Sequence, residues 1–177
     1  MICRTRKDQM RTWKHTLTVD ASVDAAEKVA GIGIVIQQRS GRRKRGPIVA
    51  RISELHRGIR LNAAEEFAVL RALEVAIERG FSRVKIRSDY NQMRRALREQ
   101  YRQRRMADGD ELRRRVMTLA DLFEFVHFAW VPRRRNQIAH GLARHALHGT
   151  APDASDTDPA QSPPANATVG AVNVGIR

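Results

Sequence analysis

A chain of 177 residues with 42% hydrophobic content has apolar matter for one ordinary domain and some tail, which excludes wholesale disorder. Its 33 lysines and arginines against 19 acids leave a net charge of +14, so an anionic partner is expected: nucleic acid first, with a ribosome or an anionic membrane surface as the other candidates. The single cysteine, Cys3, excludes an internal disulfide and a cysteine-based zinc cluster, and no apolar run approaches the roughly 20 residues of a membrane span.

Residues 1–14 read as a basic N-terminal arm with Trp13 as its one aromatic side chain. No apolar segment follows the basic start, so a secretory signal is not expected and the cytoplasm is the expected location. In 17–36, LTVDASVDAAEKVAGIGIVI, Leu17 and Val19 alternate with polar residues as a half-buried strand does. Asp20 stands where that alternation is read to stop, with Ser22 two residues on. An acid at the end of a buried strand needs a partner, which can be a turn amide, an arginine or a metal ion. A second strand runs from about Gly31 to Gln38. Residues 39–46, RSGRRKRG, form a turn with five basic residues, suited both to a solvated hairpin tip and to touching phosphate. Ile48, Ala50 and Ile52 then alternate in a third strand over 47–53, completing an antiparallel meander.

Asn62 to Arg79 is the clearest helix. Asn62 is a good N-cap, Glu65 three residues on completes a variant capping box, and Gly80 ends the helix. Val69, Leu73, Ala76 and Ile77 form its apolar stripe. Glu65 either caps the helix and complements its dipole or does chemistry. A fourth strand over 81–89 puts Val84 and Ile86 inward and ends in Asp89, repeating the pattern of a strand followed by an acid. C-terminal ends of parallel strands are where ligands gather in α/β sheets. From Tyr90 a helix places Met93, Leu97 and Tyr101 on one face and Arg94, Arg95, Arg98, Arg102, Arg104 and Arg105 on the others. Asp108, Gly109 and Asp110 break it. The next helix reaches about Phe123, burying Leu112, Val116, Leu119 and Phe123 and exposing Arg113, Arg114 and Arg115. Residues 125–131, FVHFAWV, are the last strand. Arg133, Arg134 and Arg135 then lead into a helix from Asn136 to about His148. The domain is expected over 15–149, and 150–177, rich in Pro, Ala, Ser, Asp and Asn, as a disordered tail.

The order of three strands, helix, strand, two helices, strand and helix resembles the ribonuclease H fold. Four motifs carry the resemblance in order: TVDASVD followed by AGIGIVI, NAAEEFAVLRALEVAIERG, VKIRSD, and FAWVPRRRNQIAHGLARHAL. They are most similar to the ribonuclease HI-like, reverse-transcriptase-like group, whose last motif runs W-V-P-R-x-x-N-x-x-A-[DH]-x-L-A. The resemblance implies an α/β domain with a five-stranded mixed sheet, its first three strands antiparallel, and helices on both faces.

It also implies that Asp20, Glu65 and Asp89 are catalytic and bind divalent metal, two ions of Mg²⁺ or Mn²⁺. Glu65 is favoured over Glu66 by the register of Ala68, Ala72, Leu73 and Ala76. Paired ions of this kind activate water on one side of a phosphodiester and steady the leaving oxygen on the other. Magnesium takes hard oxygen ligands and keeps some of its waters, so a few carboxylates suffice. Without metal, three gathered carboxylates would raise one another's pKa. The family's fourth acid is replaced here by His140, a poorer magnesium ligand that can hydrogen-bond or transfer a proton. The catalytic loop histidine of several family members has no counterpart in 132–137, and the Trp-rich basic protrusion of others is missing. The implied activity is endonucleolytic cleavage of the RNA strand of an RNA/DNA hybrid. Ser22, Asn62, Arg94, Arg95, Arg98, Arg133, Arg134 and Arg135 are the expected nucleic-acid contacts. The alternative is a ribonuclease H-like module that holds nucleic acid and cuts slowly or not at all. No membrane partner is expected.

Overall fold

A computed structural model of the protein describes residues 13–40, 44–91 and 111–149. Most of the N-terminal arm, the hairpin tip, the arginine-rich helix expected after Tyr90 with Arg94, Arg95 and Arg98, and the C-terminal tail lie outside the described residues. The strands are β1 (His15–Asp24), β2 (Val29–Ser40), β3 (Lys44–Arg57), β4 (Arg83–Ser88) and β5 (Phe125–Trp130). They form one sheet in the order β3-β2-β1-β4-β5. The β1–β2 and β2–β3 pairs are antiparallel, while β1–β4 and β4–β5 are parallel. The helices are α1 (Ala64–Glu78), α2 (Glu111–Ala120) and α3 (Gln137–His148).

Strand alternation sorts side chains onto two faces. Leu17 and Val19 of β1, Ile32, Ile34 and Ile36 of β2, and Val84 and Ile86 of β4 bury against Val69, Leu70, Leu73 and Ala76 of α1 and Val116 of α2. On the other face Val35 meets Ala139 and Leu142 of α3. β2 is therefore covered on both sides, which explains why AGIGIVI reads as a continuous small-and-apolar run rather than an alternation.

Several local expectations change. β1 does not stop at Asp20 but continues to Asp24, whose carboxylate accepts from the Ala26 and Glu27 amides to make the turn. Asp20 sits inside the strand, opposite Gly33. Asn62 caps nothing: it lies in a 3-10 turn (Leu61–Ala63), and α1 starts from Ala63 without any side-chain cap. Ile77 is exposed rather than on the buried stripe. Arg113 is not a free surface arginine either. Its Nε and Nη2 donate to Oε1 of the buried Glu66 at 2.8 and 2.6 Å, tying α2 to α1. Removing one partner of a buried pair strands the other charge. Because water reaches Arg113, we expect Arg113→Met to lower stability by only about 1–2 kcal/mol, measurable as a lower urea midpoint with an unchanged slope.

Candidate metal and active site

Parallel pairing of β1 with β4 ends at Thr18 and Arg87. Beyond that point β1 continues with β2 alone, and the chain of β4 leaves the sheet at Ser88. A notch opens at the C-terminal end of the parallel pair, the place where open α/β sheets bind ligands. Asp20 faces into it from β1 and Asp89 from just past β4, while the first turn of α1 brings Glu65. One carboxylate oxygen from each of these three acids lies within 4.8 Å of the others. Glu66, one residue on, points instead to Arg113.

The three acids are costly as they stand. Burial, and then the charges of Asp20 and Asp89, push the Glu65 carboxyl up to about 8. Burial is also the main reason that Asp20 is raised to about 7, with the hydrogen bond from His140 opposing it and Asp89 adding to it. Glu65 Oε2 is buried with no hydrogen-bond partner among the described residues. Crowded carboxylates, one with an orphaned oxygen, are a donor set of hard oxygens that a divalent cation satisfies. The residues fit the metal that the fold implies.

α3 supplies the frame. Asn136, 1% exposed, directs Nδ2 at the Val19 carbonyl (3.1 Å), Asp20 Oδ1 (2.9 Å) and Asp89 Oδ1 (3.2 Å). Three acceptors around one amide nitrogen dictate its orientation, since the flipped amide would set oxygen against oxygen. His140 Nδ1 lies 2.7 Å from Asp20 Oδ2, and its Nε2 is 3.3 Å from Arg133 Nη2. A guanidinium only donates, so Nε2 accepts and Nδ1 carries the proton toward Asp20. Arg133 also stands 3.9 Å from Asp89 Oδ2. Trp130 Nε1 donates to the Asp89 carbonyl at 3.0 Å, fixing the backbone of that acid.

The other expected contacts are more scattered. Ser22 lies two residues beyond Asp20 on the same face of β1, and Asn62 is exposed before α1. Arg133, Arg134 and Arg135 occupy an exposed 3-10 turn between β5 and α3 (Arg133–Arg135), of which only Arg133 meets the acids in a described contact. Sequence reasoning missed Asn136 and Trp130 as parts of the site, although both stand in the W-V-P-R-x-x-N motif.

A parallel pair with acids at its open end, on a meander backed by helices, defines a ribonuclease H-like domain. The chain belongs to the reverse transcriptase-like family, whose profile matches residues 18–146, and is a ribonuclease HI-like member of the ribonuclease H-like superfamily. It is similar in structure to RNase H1 from the halophilic archaeon Halobacterium salinarum NRC-1, with 27% identity, a TM-score of 0.62, and coverage of 77% of this chain and 98% of that one. The N-terminal RNase H domain of a Mycobacterium tuberculosis protein matches with 21% identity and a TM-score of 0.63, over 78% of this chain and 96% of that one. LC11 RNase H1, isolated from compost by a metagenomic approach and solved in complex with an RNA/DNA hybrid, matches with 22% identity and a TM-score of 0.63, over 77% and 98%. No curated protein sequence gives a significant match. No helix among the described residues is long and apolar enough to cross a membrane.

Proposed function

We propose that this chain is a divalent-metal-dependent endonuclease that hydrolyses the RNA strand of RNA/DNA hybrids in the cytoplasm. The observation that carries the reading is the meeting of Asp20, Glu65 and Asp89 within 4.8 Å, beside an imidazole and on a ribonuclease H fold. These three acids would hold magnesium or manganese, as two ions in the paired arrangement, and the metal would supply positive charge for phosphodiester hydrolysis. Asn136 holds Asp20 and Asp89 in fixed relation through one amide nitrogen. His140 donates through Nδ1 to Asp20, which favours the ionised carboxylate, while its Nε2 accepts from Arg133. Arg133, exposed beside the acids, is placed to contact a backbone phosphate, with Arg134 and Arg135 adding to the field. Ser22, Asn62, Arg94, Arg95 and Arg98 complete the proposed contacts. An RNA/DNA hybrid is the proposed substrate, recognised by its 2′-hydroxyls and shape. The single cysteine suits a reducing compartment.

One observation favours a second reading, a nucleic-acid-binding module that cuts slowly or not at all: His140 offers an imidazole where many relatives by motif have a carboxylate, and imidazole suits a hard cation less well. Both readings are tested by incubating a hybrid labelled on its RNA strand with Mg²⁺ or Mn²⁺, using wild type and Asp89→Asn, with duplex RNA and duplex DNA as controls. Cutting confined to the hybrid, reduced at least about 100-fold in Asp89→Asn, is the expected result. Tight, salt-dependent binding without cutting in either metal would overturn the enzyme reading and leave the binding module. Under that second reading, His140→Asp is expected to raise cleavage.

A further inference from the structure

α3 covers only part of its face of the sheet. It packs on β1, β2 and β3, while the same face of β4 and β5 borders a concavity of about 360 Å³. Arg39 enters it from the β2 end, Lys85 and Arg87 rise from its floor on β4, and Arg135 closes it beyond β5. No acidic residue among the described ones lines it. Cations gathered in a concave surface concentrate anions there. The cluster also strains itself: burial, then the charges of Arg87 and Arg39, hold the Lys85 ammonium below its usual range.

Two tryptophans complete the walls, and they are the only two in the chain. Trp13 is stacked on His127 with ring centroids 5.8 Å apart, and the Lys85 ammonium and Arg39 guanidinium sit 4.5 and 4.6 Å from its ring centre. Trp130 is 45% exposed, and its indole is held by the bond to the Asp89 carbonyl. Trp130, at the end of β5, thus borders both the groove and the backbone of Asp89. The basic hairpin singled out in the sequence starts at Arg39, on the groove's margin.

We propose that this groove is a second nucleic-acid subsite, which takes a single-stranded stretch of RNA or DNA running off the duplex, with its phosphates on Arg39, Lys85, Arg87 and Arg135 and a base against Trp130. Single-strand sites combine a cationic track with aromatic faces, as this groove does. The proposal rests on the hybrid-binding reading only for the duplex from which the strand runs.

The test measures binding by fluorescence anisotropy with the full chain in EDTA at about 0.1 M salt. Its ligands are a blunt hybrid, the same hybrid with an RNA or DNA overhang of about ten nucleotides at either end, and the single strand alone. An overhang is expected to tighten binding roughly tenfold at one end of the hybrid and to quench tryptophan fluorescence beyond the blunt duplex. In Arg39→Gln/Lys85→Gln that gain should fall below about twofold, with blunt-hybrid affinity nearly unchanged; Lys85→Arg should keep it. Blunt hybrid bound without any overhang gain, or a gain retained in the double variant, would overturn the groove alone. Single strand bound by wild type and lost in the double variant, with no binding of blunt hybrid, would support the groove and overturn the hybrid reading. Should the double variant fail to fold, wild-type quenching decides: no quenching beyond the blunt duplex overturns the proposal.

Discussion

At pH 8 in a chelator, Glu65→Gln is expected to melt above wild type, and to lose hybrid cleavage when divalent metal is returned. In the folded chain burial, Asp20 and Asp89 raise the Glu65 carboxyl from 4.5 to about 8, and Asp20 itself rises from 3.8 to about 7. The unfolded chain releases both protons near their ordinary values, so between these limits the folded state binds more protons. Stability is then highest below the unfolded values and falls as pH rises through the folded ones. Each unit of displacement corresponds to about 1.4 kcal/mol, and relaxation with water entry reduces the total. A gain of about 2 kcal/mol at pH 8 is a reasonable scale for the neutral amide, or about 4–8 °C in midpoint. On the proposed metal-dependent reading divalent metal should reverse the order, because it would bind the folded wild-type acids more tightly than the variant's and stabilise by mass action. Thermal melts of both proteins at pH 5 and pH 8, each in chelator and in magnesium, make the check. A wild-type midpoint indifferent to both pH and metal would mean that the acids are not a crowded cation site.

Features written in neighbouring residues were legible; those made by distant ones were not. Leu17 and Val19, the stripe of α1 and the acid after Ile86 each carry a local periodicity, so the order of elements could be read from the chain, whereas the grouping of Asp20, Glu65 and Asp89 came from the resemblance of the motifs to a family and not from spacing. Asn136 could be read only as the start of a helix, because its partners Asp20 and Asp89 lie 116 and 47 residues away. The burial of Arg113 has the same origin, since Glu66 is 47 residues distant. The pattern around Asn62 has the composition of a cap, but a 3-10 turn (Leu61–Ala63) shifts the helix start and leaves Glu65 to face the acids. The extension of β1 past Asp20 was open to local reading, as Ala21 and Val23 continue the alternation of Leu17 and Val19. The groove had no sequence signature, being a part of the sheet that α3 does not cover.

Gly33→Ala is expected to lower stability by about 3 kcal/mol, roughly 6–12 °C in midpoint, and to depress cleavage further than the loss of folded protein explains. Gly33 is the β2 partner of Asp20, and α3 lies directly over it. A Cβ there would overlap the Ala139 carbonyl oxygen and come within 2.7 Å of the Ala143 amide nitrogen. These are backbone atoms, so no rotamer change relieves the clash and the helix must move. Ala139 adjoins His140, and Asn136 begins the same helix, so the movement pulls at the 2.7 Å contact of His140 with Asp20 and at the amide bridge between Asp20 and Asp89. Gly31 makes an equally close approach one turn later, against Ala143 and Leu147. Gly80→Ala is the control: its φ of 68° disfavours a side chain, but nothing lies within 4 Å, so about 1 kcal/mol is lost and the site is untouched. Melting temperatures and cleavage rates of the two variants, compared at a temperature where both are folded, separate the effects. If Gly33→Ala kept wild-type midpoint and rate, close seating of α3 could not be what holds His140 and Asn136 against the acids.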